Sequence, residues 1–186
     1  MAKLLYSVIM SLDGYVADAS GSFDWAAPDD DVHAAVNDLH RRVGMLLLGR
    51  RMYEVLLAWE NMPAVETQPE VVRDFALIWK GTEKVVYSRT LQSVYSARTR
   101  IERDFDVEGV RRMKGAARRD ITVGGPELAG QAIRAGLVDE YHLFVVPVIV
   151  GGGARALPAG AKAELEMVGE SRFRKGAVYL RYEVRP

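Results

Sequence analysis

Residues 120–153 read DITVGGPELAGQAIRAGLVDEYHLFVVPVIVGGG, and this stretch decides the fold. Ile121, Thr122 and Val123 are β-branched and suit a short buried strand. Gly124 and Gly125 let the backbone turn sharply and leave room for something to approach it. Pro126 fits a first helical turn, where a missing N–H costs nothing, and Glu127 suits the positive end of the helix dipole. Leu128, Ala132 and Ile133 share one helical face, and Gly136 is a C-terminal stop. From Tyr141 to Val150 the chain is nearly continuously apolar, as a strand covered on both faces requires. A glycine turn between a strand and a helix offers N–H groups to a phosphate. It serves equally as a tight turn that lets helix and sheet pack closely.

The same logic extends outward. Leu4–Met10 reads as a central strand and Ser11–Ala17 as the loop leaving it. The acidic cluster Asp29-Asp30-Asp31 opens a helix in which Val32, Ala35, Val36, Leu39 and Val43 recur at helical spacing. Met45–Leu48 is a second buried strand, closed by Gly49-Arg50-Arg51 where another helix begins. Val71, Val72, Phe75, Ile78 and Trp79 face inward from the next helix, and Lys84–Ser88 is a third strand. Asp106 caps a further helix. In the last twenty residues Val178, Leu180, Tyr182 and Val184 alternate beyond the turn Arg174-Lys175-Gly176, giving an antiparallel hairpin. Strands separated by helices predict an α/β fold: a mainly parallel sheet flanked by helices, ended by that hairpin, within a single domain over 1–186.

Composition sets the bounds. Hydrophobic residues make up 49% and charged residues 27%, which is ordinary for a globular chain. The formal net charge is zero, so nothing electrostatic points to nucleic acid or an anionic membrane. There is no cysteine, which removes disulfides, thiolate catalysis and Cys-based metal sites. His33 and His40 lie too far apart on one helix to share a metal ion, and His142 reads as a hydrogen-bonded core residue. No apolar run reaches the length of a membrane span, and the expected compartment is the cytoplasm.

Ligands of such sheets bind outside the carboxyl ends of the strands. The stretches falling there are Ser11–Ala17, Gly49–Arg51, Ser88–Arg89, Gly124–Gly125 and Gly151–Gly153. Arg50, Arg51 and Arg89 can converge on an anion with Ser88 adding a hydroxyl, or be surface caps paired with Glu54 or Asp104. A glycine turn for a diphosphate together with separate arginines for a third phosphate describes NADPH better than NADH.

These pieces, in this order, resemble the dihydrofolate reductase-like superfamily, and within it the reductase domain of riboflavin biosynthesis and its stand-alone relatives. The matching motifs are Ser11-Leu12-Asp13-Gly14, Leu48-Gly49-Arg50-Arg51-Met52-Tyr53-Glu54, Tyr87-Ser88-Arg89, Val123-Gly124-Gly125 and Val148–Gly153. The resemblance implies that Gly124, Gly125 and the helix start at Pro126 and Glu127 hold the NADPH diphosphate. It implies that Gly49, Arg50 and Arg51 meet phosphate, that Ser88 and Arg89 meet the 2′-phosphate, and that Ser11–Ala17 lies beside the nicotinamide. It also implies a homodimer.

Trp25-Ala26-Ala27-Pro28-Asp29-Asp30 resembles the Trp-x-x-Pro-x-acid stretch of folate reductases and places Asp30 at their substrate-binding carboxylate. A carboxylate binds an N–C–N ring edge and assists protonation. Asp30 is the first candidate and Asp13 the second, with helix capping and loop shaping as the alternatives. Trp25 and Tyr53 are candidates to stack on a flat substrate ring. The function so implied is an NADPH-dependent reductase of a pterin- or pyrimidine-like heterocycle. The alternatives are the riboflavin-pathway 5-amino-6-(5-phosphoribosylamino)uracil reductase and a nucleotide-binding module without catalysis.

Overall fold

The computed structural model describes residues 1–185. Ten strands and five helices follow in the order β1 (Leu4–Ser11), β2 (Tyr15–Ala17), α1 (Asp30–Arg41), β3 (Val43–Gly49), α2 (Arg50–Leu56), α3 (Glu70–Gly81), β4 (Glu83–Tyr87), β5 (Thr99–Glu102), α4 (Val107–Ala116), β6 (Asp120–Gly124), α5 (Pro126–Arg134), β7 (Glu140–Val146), β8 (Ala154–Arg155), β9 (Leu165–Arg172) and β10 (Val178–Val184). Eight strands form one sheet in the order β5-β4-β3-β6-β1-β7-β10-β9. The first six run parallel, while β10 pairs antiparallel with both β7 and β9.

Side chains alternate across the sheet, so each face packs its own helices. Leu4, Tyr6, Leu47, Ile121 and Val123 meet Val110 of α4 and Leu128, Ala129 and Ala132 of α5. Leu5, Leu46, Leu48 and Val86 meet Leu39 of α1, Tyr53 of α2, and Phe75 and Trp79 of α3. Truncating a buried side chain such as Leu47, which is wholly inaccessible, costs about 2–5 kcal/mol.

Local signals explain the element ends. Asp29 accepts a hydrogen bond from Val32 N at 3.0 Å and so starts α1, and Asp106 accepts from Glu108 N to start α4. Helix α5 closes as the glycine predicts. Gly136 has φ 63°, its N–H donates to the Ile133 carbonyl, and Leu137 N–H donates to the Ala132 carbonyl, both at 3.0 Å.

Two expectations need correction. Tyr15–Ala17 is no loop but a short strand that pairs with β8, a pairing of distant segments that three residues cannot signal locally. The apolar run from Tyr141 leaves the sheet at Val146, because Pro147 brings no N–H to a ladder. Val148 instead donates its N–H to the Val146 carbonyl and accepts from Leu12 N at 2.8 Å.

The amino ends of the central strands carry a buried ionic cluster. Glu140 is 2% exposed and accepts from Lys3 Nζ at 2.6 Å and from Arg181 Nε at 2.9 Å. His142, wholly buried as the sequence implied, places Nε2 3.1 Å from Glu140 Oε2 and Nδ1 2.6 Å from the Tyr179 hydroxyl. The neutral ring meets both, with Nε2–H donating to the carboxylate and Nδ1 accepting from the phenol. Burial, only partly offset by Glu140, pushes the ring's pKa down to about 4. Burial raises that of Glu140, but the bonds from Arg181 and Lys3 outweigh it and hold the carboxyl at about 2.

Candidate active site

Strand register brings the expected segments together at the opposite, carboxyl end of the sheet. Leu48 lies beside Gly124 and Gly49 beside Tyr87, so the ends of β4, β3 and β6 form one rim. Strand β1 then runs on past its neighbour. It pairs with β6 only over Leu4–Tyr6 but with β7 over Leu5–Ser11. On the β6 side, Ser7 to Ser11 therefore have no strand beside them. Ser7 to Met10 are half-exposed at the centre of an eight-stranded sheet. This uncovered edge is the cleft.

The glycine turn faces it. Gly125 has φ 91°, a conformation that glycine adopts without strain. A Cβ there would stand 3.3 Å from Met52 Cβ and 3.7 Å from Gly49 N, so the turn packs closely against the start of α2. A Cβ on Gly124 would stand 3.1 Å from Leu48 Cδ2. The starts of α5 and α2 thus come together, and neither has a side-chain cap, unlike α1 and α4. Their first N–H groups are left for another partner. Pro126 is half-exposed and Glu127 exposed at that start.

The arginines are placed at this rim but mostly engaged. Arg50 Nε donates to Glu54 Oε1 at 2.7 Å and its Nη1 to Thr90 Oγ1 at 2.7 Å. Arg89 pairs with Asp104 at 2.5 Å. The surface-pair alternative raised by the sequence therefore describes both residues in this structure. Arg51 is exposed, and among the described residues no carboxylate stands within ion-pair distance of it. Ser88 is buried, and its Oγ accepts from Leu91 N at 3.0 Å and Thr90 N at 3.3 Å, shaping the turn after β4. Arg103, which sequence reasoning passed over, braces that turn by donating to the Ser88 and Leu91 carbonyls at 3.0 and 2.7 Å. Its sequence signal was present, since Arg103 directly follows a strand, as Arg50 does and Arg89 nearly does.

The candidate acids separate clearly. Of the acidic cluster, Asp29 caps α1 and Asp31 binds Arg174 through bonds of 2.5 and 2.6 Å. Asp30 is exposed at the first turn and keeps its carboxylate free of protein partners among the described residues. Asp13 is committed elsewhere. Its oxygens accept from Ser11 Oγ at 2.7 Å, Gly151 N at 2.8 Å and Val150 N at 3.2 Å. The Ser11 bond foremost holds the Asp13 carboxyl below its ordinary pKa. An ionised, triply bonded carboxylate is a loop clamp and a poor proton donor.

The aromatic candidates part too. Tyr53 does not fit a stacking role. It is 1% exposed within the core, 6.4 Å from the Trp79 ring, and its hydroxyl accepts from Tyr95 N at 2.8 Å. The period of so short a helix gave no orientation, and the register of α2 turns Tyr53 inward. Trp25 is half-buried against Val32, Phe144, Val146 and Ala177, and its Nε1 is buried without a partner. A cavity of ≈ 210 Å³ lies beside the β1 end, lined by Met10, Asp13, Gly14, Arg155, Ala156 and Leu157. It adjoins the cleft edge of β1 rather than the glycine turn.

Comparison with known proteins fits this arrangement. The family model for the RibD C-terminal domain matches residues 2–179. The chain belongs to the RibD C-terminal domain family. It is 26% identical over 182 residues to the uncharacterized protein YyaP of Bacillus subtilis, covering 97% of this chain and 94% of that one. Among solved structures it superposes on a protein named for riboflavin biosynthesis from Shewanella sp. PV-4, with a TM-score of 0.78 at 19% identity and full coverage of both chains. A pyrimidine reductase-like protein from Corynebacterium diphtheriae gives a TM-score of 0.70 at 14% identity, covering 100% of this chain and 92% of that one. The Thermotoga maritima diaminohydroxyphosphoribosylaminopyrimidine deaminase/5-amino-6-(5-phosphoribosylamino)uracil reductase also gives 0.70 at 14% identity, over 99% of this chain and 57% of that one. The fold of this RibD C-terminal domain is thus dihydrofolate reductase-like. No helix among the described residues is long and apolar enough to cross a membrane.

Proposed function

We propose that this protein is an NADPH-dependent reductase of a small pterin- or pyrimidine-like heterocycle, working in the cytoplasm as a homodimer. The observation that carries the reading is the Gly125 turn, whose positive φ and missing Cβ bring the starts of α5 and α2 together, neither with a side-chain cap. Uncapped helix starts at the carboxyl end of the sheet suit a diphosphate. Gly49, Arg50 and Arg51 flank it, and Ser88 and Arg89 lie one strand further out for the 2′-phosphate. The unpaired edge of β1 from Ser7 to Ser11 offers backbone groups to a flat amide-bearing ring.

The chemistry supplied by the bound cofactor is a hydride. The chain's own part is to position and to exclude water. The Asp13 clamp holds the Ser11–Gly14 loop against Gly151 beside that edge. Asp30, whose carboxylate is free, is the group assigned to bind the substrate's N–C–N edge and assist protonation. Trp25 packs against Val32 at the same end of α1.

The names of the Shewanella and Thermotoga proteins favour a second, narrower reading, reduction of the uracil intermediate of riboflavin synthesis. Calorimetry tests the cofactor, with NADPH expected to bind at least about tenfold tighter than NADH, a difference within reach of charge-assisted hydrogen bonds. Equal affinities would remove Ser88 and Arg89 from the site. Steady NADPH oxidation with a pterin or pyrimidine would separate an enzyme from a nucleotide-binding module.

A further inference from the structure

The rim holds an acid that the reductase reading does not use. Asp104 lies two residues past the end of β5, and its Oδ1 receives both Nε and Nη2 of Arg89, at 2.7 and 2.5 Å. The pair is not a chance meeting of loose side chains, because its backbone is tied down on both sides. Ser88 N donates to the Glu102 carbonyl at 2.9 Å, and Arg103 holds the Ser88 and Leu91 carbonyls. The ends of β4 and β5 are thereby fixed side by side, with Arg89 and Asp104 each two residues past its strand end. Both remain exposed, at 81% and 65%. Arg50 is tethered to the same turn through Thr90 Oγ1 at 2.7 Å.

We infer that Asp104 is a specificity-determining residue for the substituent on the cofactor's 2′ carbon. The inference rests on the reading that Ser88 and Arg89 face that substituent. A 2′-phosphate and the Asp104 carboxylate are rival anions for one guanidinium. Binding the phosphate means parting the Arg89–Asp104 pair and holding two anions near each other. A 2′-hydroxyl does the opposite, since it can donate to the carboxylate without disturbing Arg89, as acidic residues do for the ribose of NAD elsewhere. Asp104 therefore works against NADPH and for NADH. The same pair that marks the 2′ pocket keeps the non-phosphorylated dinucleotide within the protein's range.

The test is the ratio of NADH to NADPH dissociation constants, measured by calorimetry on the whole chain as wild type, Asp104→Asn, Arg89→Ala and the double variant. An exposed ion pair is a small barrier, so Asp104→Asn should tighten NADPH by about two- to fivefold and weaken NADH. In the Arg89→Ala background the same change should leave NADPH affinity within about twofold, because no guanidinium is left to release. An unchanged ratio in Asp104→Asn overturns the inference while the reductase reading stands. An equal gain for NADPH with and without Arg89 also overturns it, reducing Asp104 to a diffuse charge. If wild type binds neither dinucleotide, the reductase reading itself fails. Thermal unfolding confirms that each variant is folded, and Asp104→Ser repeats the measurement with a shorter neutral side chain.

Discussion

Ser11 donates its hydroxyl hydrogen to Asp13 Oδ1 at 2.7 Å and accepts the N–H of Tyr15 on the same oxygen at 2.9 Å. Asp13 in turn receives the amides of Val150 and Gly151. One buried hydroxyl thus joins the end of β1, the start of β2 and the glycine loop after β7. Because the Asp13 carboxyl is held below its ordinary range, the clamp is present at neutral pH and is lost only as acid protonates it. Asp13→Asn should leave the fold intact and speed amide exchange at Val150 and Gly151. Unchanged exchange at those two amides would mean that the carboxylate holds nothing.

Gly124 and Gly125 should answer differently to alanine. Gly125 has φ 91° and its Cβ would crowd Met52, so Gly125→Ala should cost about 1–3 kcal/mol of stability and weaken NADPH binding. Gly124 has no such φ, and its added Cβ would meet mainly the flexible ends of Leu48 and Met52. Urea unfolding should show the smaller loss at Gly124. Equal losses would show that crowding, and not backbone conformation, governs the turn.

Arg51 is an exposed rim arginine with no carboxylate partner and no side-chain hydrogen bond among the described residues, so its removal breaks no contact of that kind there. Arg51→Gln should keep the melting temperature and weaken NADPH about tenfold, the scale of one charge-assisted bond. An unaltered affinity in calorimetry would place the phosphates away from the start of α2.

Acid should loosen the other end of the sheet first. His142 has a folded pKa of about 4 against an ordinary 6.5, so the unfolded chain takes up its proton at higher pH. Its contribution to stability is complete above 6.5 and is lost as pH falls toward 4. Glu140, held at about 2 against 4.5, continues the loss at lower pH. Lys3, Arg42, Arg181 and Glu183 surround the pair. Urea midpoints for wild type and His142→Gln should differ in slope between pH 6.5 and 4, with the variant flatter. Parallel profiles would move the acid sensitivity to another group.

Light scattering at micromolar concentration should give a dimer mass. The sheet face formed by Val145, Val178, Leu180 and Tyr182 is only half-buried, and Met167 and Val168 on the edge strand are 50% and 42% exposed. Such a surface suits a second copy of the chain. Val168→Glu should shift the mass toward a monomer, and a monomeric wild type would refute the assembly.

How much of this was legible depends on the range of the interaction concerned. Asp106, Gly136 and the alternation from Val178 to Val184 act through near neighbours, and each element they foretold is present. The order of motifs carried the sheet and its glycine rim. What the residues alone left open was whether each arginine is free. Arg89 meets Asp104 only because β4 and β5 lie side by side, and Tyr53 is hidden only because α2 packs against Trp79. Neither fact resides in a spacing. The three neighbouring aspartates show the same limit. All were legible as a helix start, but Asp31 is taken by Arg174, far away in sequence, which leaves Asp30 as the one whose carboxylate has no partner among the described residues.

Three residue pairs join β1 to β6, and they all lie at one end, Leu4 to Tyr6. The eight-stranded sheet is therefore two half-sheets sharing a short seam, one made of β5, β4, β3 and β6, the other of β1, β7, β10 and β9. Past Tyr6 the ladder between the halves stops, and packed side chains from both halves carry the connection. A ring that hydrogen-bonded along the free edge at Ser7–Ser11 would act as an extra rung, lengthening the seam.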